Sequence, residues 1–262
     1  MDLAEITPLV LTFNEAANID RTLAGLAWAR RVVVLDSGSD DETADLVRQH
    51  ANAVLIERRF DSHAAQWNFG LIETGITTEW VLALDADYGV SEQVVAELAA
   101  LPAAPGIDGY RARFVYCVDG RPLRGSLYPP VTVLFRRQSG RYVQDGHTHR
   151  LALAGRTADL GVPLRHDDRK SLQHWLASQA RYMRLEADKL RSRSWGELDW
   201  PDRLRKMRIV APGAVFIYCL FGKGLVLDGR AGLFYALQRA TSELVLSLTL
   251  LRDDLAGIGG NP

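Results

Sequence analysis

Apolar runs and stretches of helical periodicity alternate along roughly the first hundred residues of the chain. The apolar runs are rich in valine, isoleucine and leucine, which is typical of strands buried on both faces of a sheet. Between the runs, apolar residues such as Ile19, Leu23 and Leu26 recur every three to four positions and predict helices. The predicted strands are Ile6–Thr12, Arg31–Leu35, Ala53–Glu57 and Glu79–Leu84. The predicted helices begin near Phe13, after the turn Asp36–Thr43, near Ala64 and near Ser91.

This alternation predicts an α/β fold, with a mostly parallel sheet, right-handed crossovers and helices on both faces. After the proline-rich segment 102–106, short strand-like runs at 110–118, 131–136 and 141–143 predict a mixed β region. From Ser171 onward the pattern is helical. We therefore expect a domain over residues 1–165, with halves 1–101 and 102–165, and a C-terminal helical extension over residues 166–262.

Composition excludes some classes of protein. The chain has 262 residues with 31 basic and 32 acidic side chains, so bulk charge gives no indication of a nucleic-acid partner. Its two cysteines, Cys117 and Cys219, lie far apart and suit a reducing compartment. The acidic N-terminus does not resemble a signal peptide, and no apolar run has the length of a membrane span. We expect a cytoplasmic protein.

Carboxylates follow two of the predicted strands. Asp36 ends the second strand, while Asp85 and Asp87 end the fourth, with Ala86 between them. In an open α/β sheet the ligand crevice lies outside the carboxyl ends of the strands, so these side chains should share one rim. Oxygen ligands suit a hard divalent cation, which commonly holds phosphates. A helix cap or an exposed loop would also explain a lone Asp-x-Asp.

Four motifs, in order along the chain, resemble those of family 2 glycosyltransferases. They are Thr12-Phe13-Asn14-Glu15, the segment Asp36–Thr43, Gln66-Trp67-Asn68 and Leu84-Asp85-Ala86-Asp87. Beyond them the chain is similar to transferases of lipopolysaccharide core and other envelope polysaccharides, with a helical segment at 174–190 and a Gly-x-x-x-Asp-Gly segment at 224–229. The resemblance implies a GT-A fold, in which residues 1–101 bind the nucleotide-sugar and residues 102–165 bind the acceptor.

The same resemblance implies roles for individual residues. Phe13 would lie near the nucleobase, and Asp36 would bond the base or the ribose. Asp85 would contact the ribose or the donor sugar, and Asp87 would ligate Mg²⁺ or Mn²⁺ at the diphosphate. The remaining residues expected at the donor are Thr12, Asn14, Glu15, His63, Gln66, Asn68 and Ala86.

Each of these residues also has a purely structural explanation. Ser39 or Asp40 could cap a helix, and Glu15 could complement a helix dipole. Phe13 could be a core residue. Gln66 and Asn68 could be polar residues on the surface of a helix.

The general base is the least defined part of the site. An inverting transferase needs a group that takes the proton of the acceptor hydroxyl, and we expect Asp145 first and His147 second. Relatives tend to place glutamates here and after the Asp-Ala-Asp, where this chain has Tyr88. Two alternatives concern the histidines of this region: contact of His147 or His149 with the donor diphosphate, or a metal site formed by His147, His149, His166 and Asp167.

The sequence thus predicts an inverting, metal-dependent transfer of a hexose from a UDP-linked donor. The acceptor would be a hydroxyl of a lipid-linked or oligosaccharide molecule in envelope-polysaccharide assembly. Transfer to polyprenyl phosphate, or nucleotide-sugar binding without catalysis, are the alternatives. No G-x-G-x-x-G follows the first strand, which argues against a dehydrogenase.

The aromatic and aliphatic residues at 215–221, with Lys206, Arg208 and Lys223 nearby, favour a peripheral contact with the inner face of the cytoplasmic membrane. A helix packed on the catalytic domain and a homodimer interface are the alternatives for this segment.

Overall fold

The computed structural model describes residues 1–102, 106–145 and 148–257, apart from the side chains of Asp145 and Thr148. The chain forms two compact units. The first comprises residues 1–120 and 128–170, and the second comprises residues 121–127 together with the chain from Ser171 onward.

The first unit holds most of the strands. Its strands are β1 (Ile6–Thr12), β2 (Val32–Asp36), β3 (Ala53–Glu57), β4 (Trp80–Asp85), β5 (Tyr88–Gly89), β6 (Ile107–Ala112), β7 (Phe114–Val118), β9 (Val131–Arg136), β10 (Gly140–Asp145), β11 (Thr148–Leu153), β12 (Arg156–Asp159) and β13 (Leu164–His166). Strand β8 (Arg121–Pro122) belongs to the segment of the second unit. Its helices are α1 (Ile19–Ala24), α2 (Thr43–Arg48), α3 (His63–Glu73) and α4 (Glu92–Ala100).

The central sheet has seven strands in the order β12-β6-β9-β4-β1-β2-β3. Strands β4, β1, β2 and β3 are parallel, and β9 is antiparallel to both of its neighbours. Strands β5, β13 and β7 form a smaller sheet, and β10 pairs with β11 in a hairpin. The predicted α/β fold with a mostly parallel sheet is confirmed.

The alternation of side chains along the central strands creates two cores. Val10, Val34 and Leu82 face helices α1, α2 and α4, while Leu9 and Val33 face α3 and the β10–β11 hairpin. Successive residues of a strand point to opposite faces, so a strand covered on both sides must be apolar throughout. The helices lie on both faces, as predicted.

Two element boundaries differ from the prediction. The run 110–118 is not one strand, because the chain leaves the central sheet after Ala112 and enters the smaller sheet at Phe114. The first helix begins at Ile19 rather than near Phe13, since Asn14 has a φ of 54°, which a helix cannot contain.

The second unit is helical. It contains α5 (Leu172–Ser192), α6 (Trp200–Lys206), α7 (Val210–Ile217), a π-helical turn (Tyr218–Gly222) and α8 (Gly229–Leu255). Its core consists of Ala187, Leu190, Leu198, Leu246 and Leu250. Asp228 accepts a hydrogen bond from the backbone N–H of Arg124, which fixes the segment 121–127 in this unit.

No single described helix is long and apolar enough to cross a membrane. The helical segments Val210–Gly222 and Leu225–Leu255 satisfy the length and hydropathy conditions together, with a bend of 74° between them. Gly224, with a φ of 71°, lies at this bend.

Candidate functional site

The carboxyl ends of β1, β2 and β4 bring the first, second and fourth motifs together. Thr12 lies beside Asp36 in the register of β1 and β2, and Leu11 lies beside Asp85 in the register of β1 and β4. Parallel pairing places all three strand ends on one edge. Thr12, Asp36 and Asp85 are therefore neighbours, as expected for a ligand crevice at the edge of the sheet.

Asp36 organises the loop that follows β2. Its carboxylate accepts hydrogen bonds from the Thr12 hydroxyl (2.9 Å), from the backbone N–H groups of Gly38 (3.0 Å) and Ser39 (2.8 Å), and from the Ser39 hydroxyl (2.5 Å). The side chain is almost fully buried. Since buried N–H and hydroxyl groups need partners, Asp36 has a structural role in the loop, whatever it contacts in a donor.

Asn14 ties the loop after β1 to the loop after β2. Its side chain exchanges two hydrogen bonds with Asp40, and its backbone N–H donates to the Ser39 hydroxyl. Ser39 and Asp40 therefore bond to Asn14 and Asp36 and do not cap α2, which begins at Thr43. Phe13, between these loops, is 42% exposed and is not a core residue.

Glu15, the last residue of the first motif, contacts Lys170 and Asn18. Its carboxylate accepts hydrogen bonds from the Lys170 ammonium (2.5 Å) and from the Asn18 amide (2.9 Å). Burial raises the pKa of Glu15, although the Lys170 charge opposes the shift. Asn18 also bonds Asp168, so Glu15 anchors the loop that follows β13.

Gln66 and Asn68 of α3 make structural contacts in the first unit, and neither is a loose surface residue. Gln66 is fully buried and bonds the Ser37 hydroxyl and both the carbonyl and the guanidinium of Arg58. Asn68 pairs with the backbone of Tyr142 through two hydrogen bonds of 2.9 Å. Ser37 lies on the loop after β2, so only Gln66 of this pair contacts the rim.

Asp85 lines a cavity of about 260 Å³ with Trp67, Tyr142, His149 and other side chains. Burial, and secondly the charge of Asp87, raises the pKa of Asp85. The neighbouring carboxylates of Asp85 and Asp87 repel each other when both are ionised, so both ionise only if a positive charge compensates. The carbonyl of Ala86 between them accepts a hydrogen bond of 2.6 Å from Thr22, which fixes the backbone of the motif.

Asp87 has one oxygen in a hydrogen bond and one oxygen without a partner. Oδ2 lies 3.0 Å from Nε2 of His166, whereas Oδ1 is buried and has no hydrogen-bond partner among the described residues. Although burial opposes it, the charge and hydrogen bond of His166 lower the pKa of Asp87. The residues present therefore fit a divalent cation, because a buried oxygen of a carboxylate whose pKa is lowered has no donor among the described residues.

A complete protein cage for a cation is absent from the described residues. No group of three or more His, Cys, Asp or Glu side chains there is placed to hold a metal ion. Mg²⁺ typically takes one or two carboxylates and completes its shell with phosphate oxygens and water, so Asp87 with His166 beside it is sufficient for that mode of binding.

The two described histidines of the proposed zinc group lie in different surroundings. His149 packs against Trp67, Tyr142 and His63, with ring centroids 5.3 to 5.9 Å apart, while His166 bonds Asp87. The alternative of a zinc cluster is thus not supported by these residues. His147 lies outside the described residues, and the side chain of Asp145 is not described, so the position of the general base stays a prediction.

An aromatic cluster surrounds His166. Tyr88, Phe114, Tyr116 and Tyr128 pack around the imidazole with centroid distances from 4.5 to 6.4 Å. The hydroxyls of Tyr88 and Tyr128 share a short hydrogen bond. Tyr88, which stands in place of a glutamate, is therefore a buried wall of the site and not an exposed acid.

Sequence reasoning missed two side chains of this rim. His166 was considered only for a zinc site, and Lys170 was not considered at all. His166 is the last residue of the short strand β13, which pairs with β5 and β7, and Lys170 lies in the segment after it. The only local signal for them was the charged run 165–170 after an apolar residue, and such a run is usually a solvated loop.

Comparison with known proteins agrees with the motifs. Residues 9–154, more than half of the chain, match the model of glycosyl transferase family 2. A Rickettsia bellii protein described as an uncharacterized glycosyltransferase is 27% identical over 140 residues, covering 51% of this chain and 47% of the relative. The chain thus spans about half the length of that relative.

Two further similarities cover more of the chain. The lipopolysaccharide core biosynthesis glycosyltransferase LpsC of Rhizobium meliloti is 25% identical over 251 residues, covering 90% of this chain and 87% of LpsC. The structure of S. aureus TarS 1-349 in complex with UDP-GlcNAc has a TM-score of 0.49 at 14% identity, covering 96% of this chain and 92% of TarS. This structural likeness is too low to add to the assignment. The extent of the family match, together with the four motifs on the rim of the sheet, places this chain in glycosyl transferase family 2.

Proposed function

We propose that this chain is an inverting glycosyltransferase that moves a hexose from a UDP-linked donor to a hydroxyl group of a glycan or lipid-linked acceptor. The orphaned Oδ1 of Asp87 at the carboxyl end of β4 carries this proposal. A UDP leaving group develops negative charge as the sugar–phosphate bond breaks, and catalysis requires positive charge at that position. A bound Mg²⁺ or Mn²⁺ would supply this charge as a Lewis acid.

Different residues of the chain would bind different parts of the donor. Asp87 would hold the cation, while His166 keeps its carboxylate ionised and oriented. Asp85, in the adjacent cavity, would bond the ribose or the donor sugar. The exposed ring of Phe13 is available to stack on the base, since it is not packed in the core.

On the acceptor side, Asp145 or His147 would take the proton of the attacking hydroxyl. In a single displacement the acceptor hydroxyl attacks the anomeric carbon, the bond to the UDP oxygen breaks, and the hydroxyl proton passes to a base. We assign Asp145 as this base and His147 as the second choice. Similarity to LpsC over 90% of the chain supports an acceptor of the lipopolysaccharide or envelope-polysaccharide class.

An acceptor of this class is held at a lipid surface, and the second unit exposes side chains that suit contact with such a surface. Ile217, Tyr218, Phe221 and Leu227 are more than half exposed, and Lys223 lies over the Tyr218 ring at 5.6 Å. Aromatic and aliphatic side chains beside a cation suit the interface of a bilayer. We therefore assign a peripheral position at the inner face of the cytoplasmic membrane, tested by sedimentation with phosphatidylglycerol vesicles. The double substitution Phe221→Asp and Leu227→Asp should abolish binding.

The donor site is tested by UDP release and by binding of UDP with and without Mn²⁺. Asp87→Ala should lower turnover by about 100-fold or more and remove the effect of Mn²⁺ on UDP affinity. Asp45→Ala, which removes an exposed carboxylate paired with Arg48, is the matched control and should leave both unchanged. Turnover and metal-dependent binding that persist in Asp87→Ala would overturn the assignment.

A further inference from the structure

Helix α8 exposes a regular row of leucines. Leu237, Thr241, Leu244, Leu248, Leu251 and Leu255 follow one another at alternating spacings of four and three residues, and we call them the leucine stripe. The five leucines are between 38% and 91% exposed. The mean spacing of 3.5 residues is the repeat of a two-stranded coiled coil, and the stripe extends over about 27 Å at ~1.5 Å per residue.

The rotation of α8 about its axis is fixed by ion pairs on the opposite face. Glu243 is buried and accepts hydrogen bonds from Arg205 at 2.8 to 3.1 Å. Asp253 is buried as well, where it pairs with Arg184 at 3.1 Å. Turning the leucines inward would expose apolar core residues and separate two buried carboxylates from their arginine partners, which is destabilising. The stripe is thus held outward by the fold of its own unit.

The charge pattern favours a protein partner over a lipid surface. The charged residues between Leu237 and Leu251 are Arg239 and Glu243, and neither is exposed. Arg239 lies over the Tyr235 ring. Helices that lie in a membrane interface usually carry several lysines or arginines along the polar flanks, whereas Arg252, near the C-terminal end of the stripe, is the one exposed basic residue between Leu237 and Leu255.

The positions beside the stripe suit a second copy of the same helix. Gln238, Ala240 and Val245 flank the stripe as far as Leu248 and carry no charge, so two identical helices can approach there without like-charge repulsion. Near Leu255 the flanking residues are Arg252 and Asp254, which have opposite charges. Contiguous exposed apolar surface of this kind is rare on monomers. A two-fold axis lets one patch cover itself on both subunits, which is the commonest arrangement of homo-oligomers.

We propose that α8 pairs with α8 of a second copy of this chain, so that the leucine stripes of the two copies bury one another around a two-fold axis. This pairing is independent of the transfer reaction proposed above. It requires no ligand, no metal ion and no lipid.

Sedimentation of the full chain at about 1 to 100 μM, without detergent, tests the pairing. The wild-type protein should sediment at twice the chain mass of 29.1 kDa. The double substitution Leu244→Glu and Leu248→Glu should weaken association by at least about 100-fold, since it places like charges within the apolar seam. Leu185→Glu on α5, where the leucine is 47% exposed against 49% for Leu244, is the matched control and should stay dimeric.

Circular dichroism checks that each variant is folded. If the double glutamate variant fails to fold, the single substitution Leu248→Gln replaces it with the same expected result, and Leu244→Met should remain dimeric. A wild-type chain that is monomeric at 100 μM would overturn the pairing, as would a folded glutamate variant that stays dimeric. A monomeric wild type that binds vesicles through Leu244 and Leu248 would identify the stripe as a lipid surface instead.

Discussion

The imidazole of His166 lies 3.0 Å from the carboxylate of Asp87, although 79 positions separate the two residues. The contact forms because β13 ends beside β5, which follows the Asp-Ala-Asp directly. The backbone N–H of Asp167 also donates to the carbonyl of Asp87 at 3.0 Å. The histidine is therefore held against the proposed metal ligand by both the strand pairing and the side chain.

Replacing His166 by alanine should weaken binding of Mn²⁺ in the presence of UDP by about 10- to 100-fold, since partners that orient a metal ligand typically contribute this much. Calorimetric titration measures the affinity directly. His50→Ala is the control, because His50 forms a similar pair with Asp20 at 2.9 Å that is exposed and distant in sequence from the rim motifs. Equal affinities in the wild type and in His166→Ala would contradict the positioning role.

Asp36→Ala should destabilise the protein by about 2 to 4 kcal/mol, because it leaves the buried Thr12 hydroxyl and the partly buried N–H groups of Gly38 and Ser39 without an acceptor. Urea unfolding measures the change. Asp159→Ala, which removes an exposed pair with Arg111, should cost less than about 1 kcal/mol. A stable Asp36→Ala variant with a raised KM for the donor would show that Asp36 serves the donor alone.

Acid should destabilise the fold through His149. Burial, and secondly the neighbouring His63, lowers the pKa of His149 to about 4, so the folded state binds fewer protons than the unfolded state. The contribution is fully present above the unfolded pKa of about 6.5 and is lost as the pH falls towards 4. Between pH 7.5 and pH 5, wild-type unfolding free energy should fall by about 2 kcal/mol more than that of His149→Phe. Urea titrations at both pH values measure the difference, and parallel curves would contradict the assignment.

Asp145→Ala should lower transfer to a hydroxyl acceptor by about 100- to 10,000-fold while leaving UDP affinity unchanged, because a general base contributes to the chemical step and not to donor binding. The transfer rate and the UDP affinity of His147→Ala are measured under the same conditions. If both variants keep full activity, no base is needed, and an acceptor that is already an anion, such as polyprenyl phosphate, would replace the hydroxyl.

The sequence by itself determined the alternating strands and helices of the first half, the helices on both faces and the positions of Asp36, Asp85 and Asp87 at strand ends. These features follow from repeats of 2 and 3.6 residues and from the polarity of parallel strands, which are properties of short segments. The family could also be predicted from the sequence, since its motifs lie at the ends of those segments.

Only the tertiary structure decided what these residues contact. It separated β6 from β7, assigned Gln66 and Asn68 to structural hydrogen bonds, and brought His166 and Lys170 to the rim. It also decided that α8 presents leucines to solvent, because the arginine partners of the buried Glu243 and Asp253 come from other helices. Such contacts join positions far apart in the chain, and a local pattern of polar and apolar residues does not encode which distant partner each one meets.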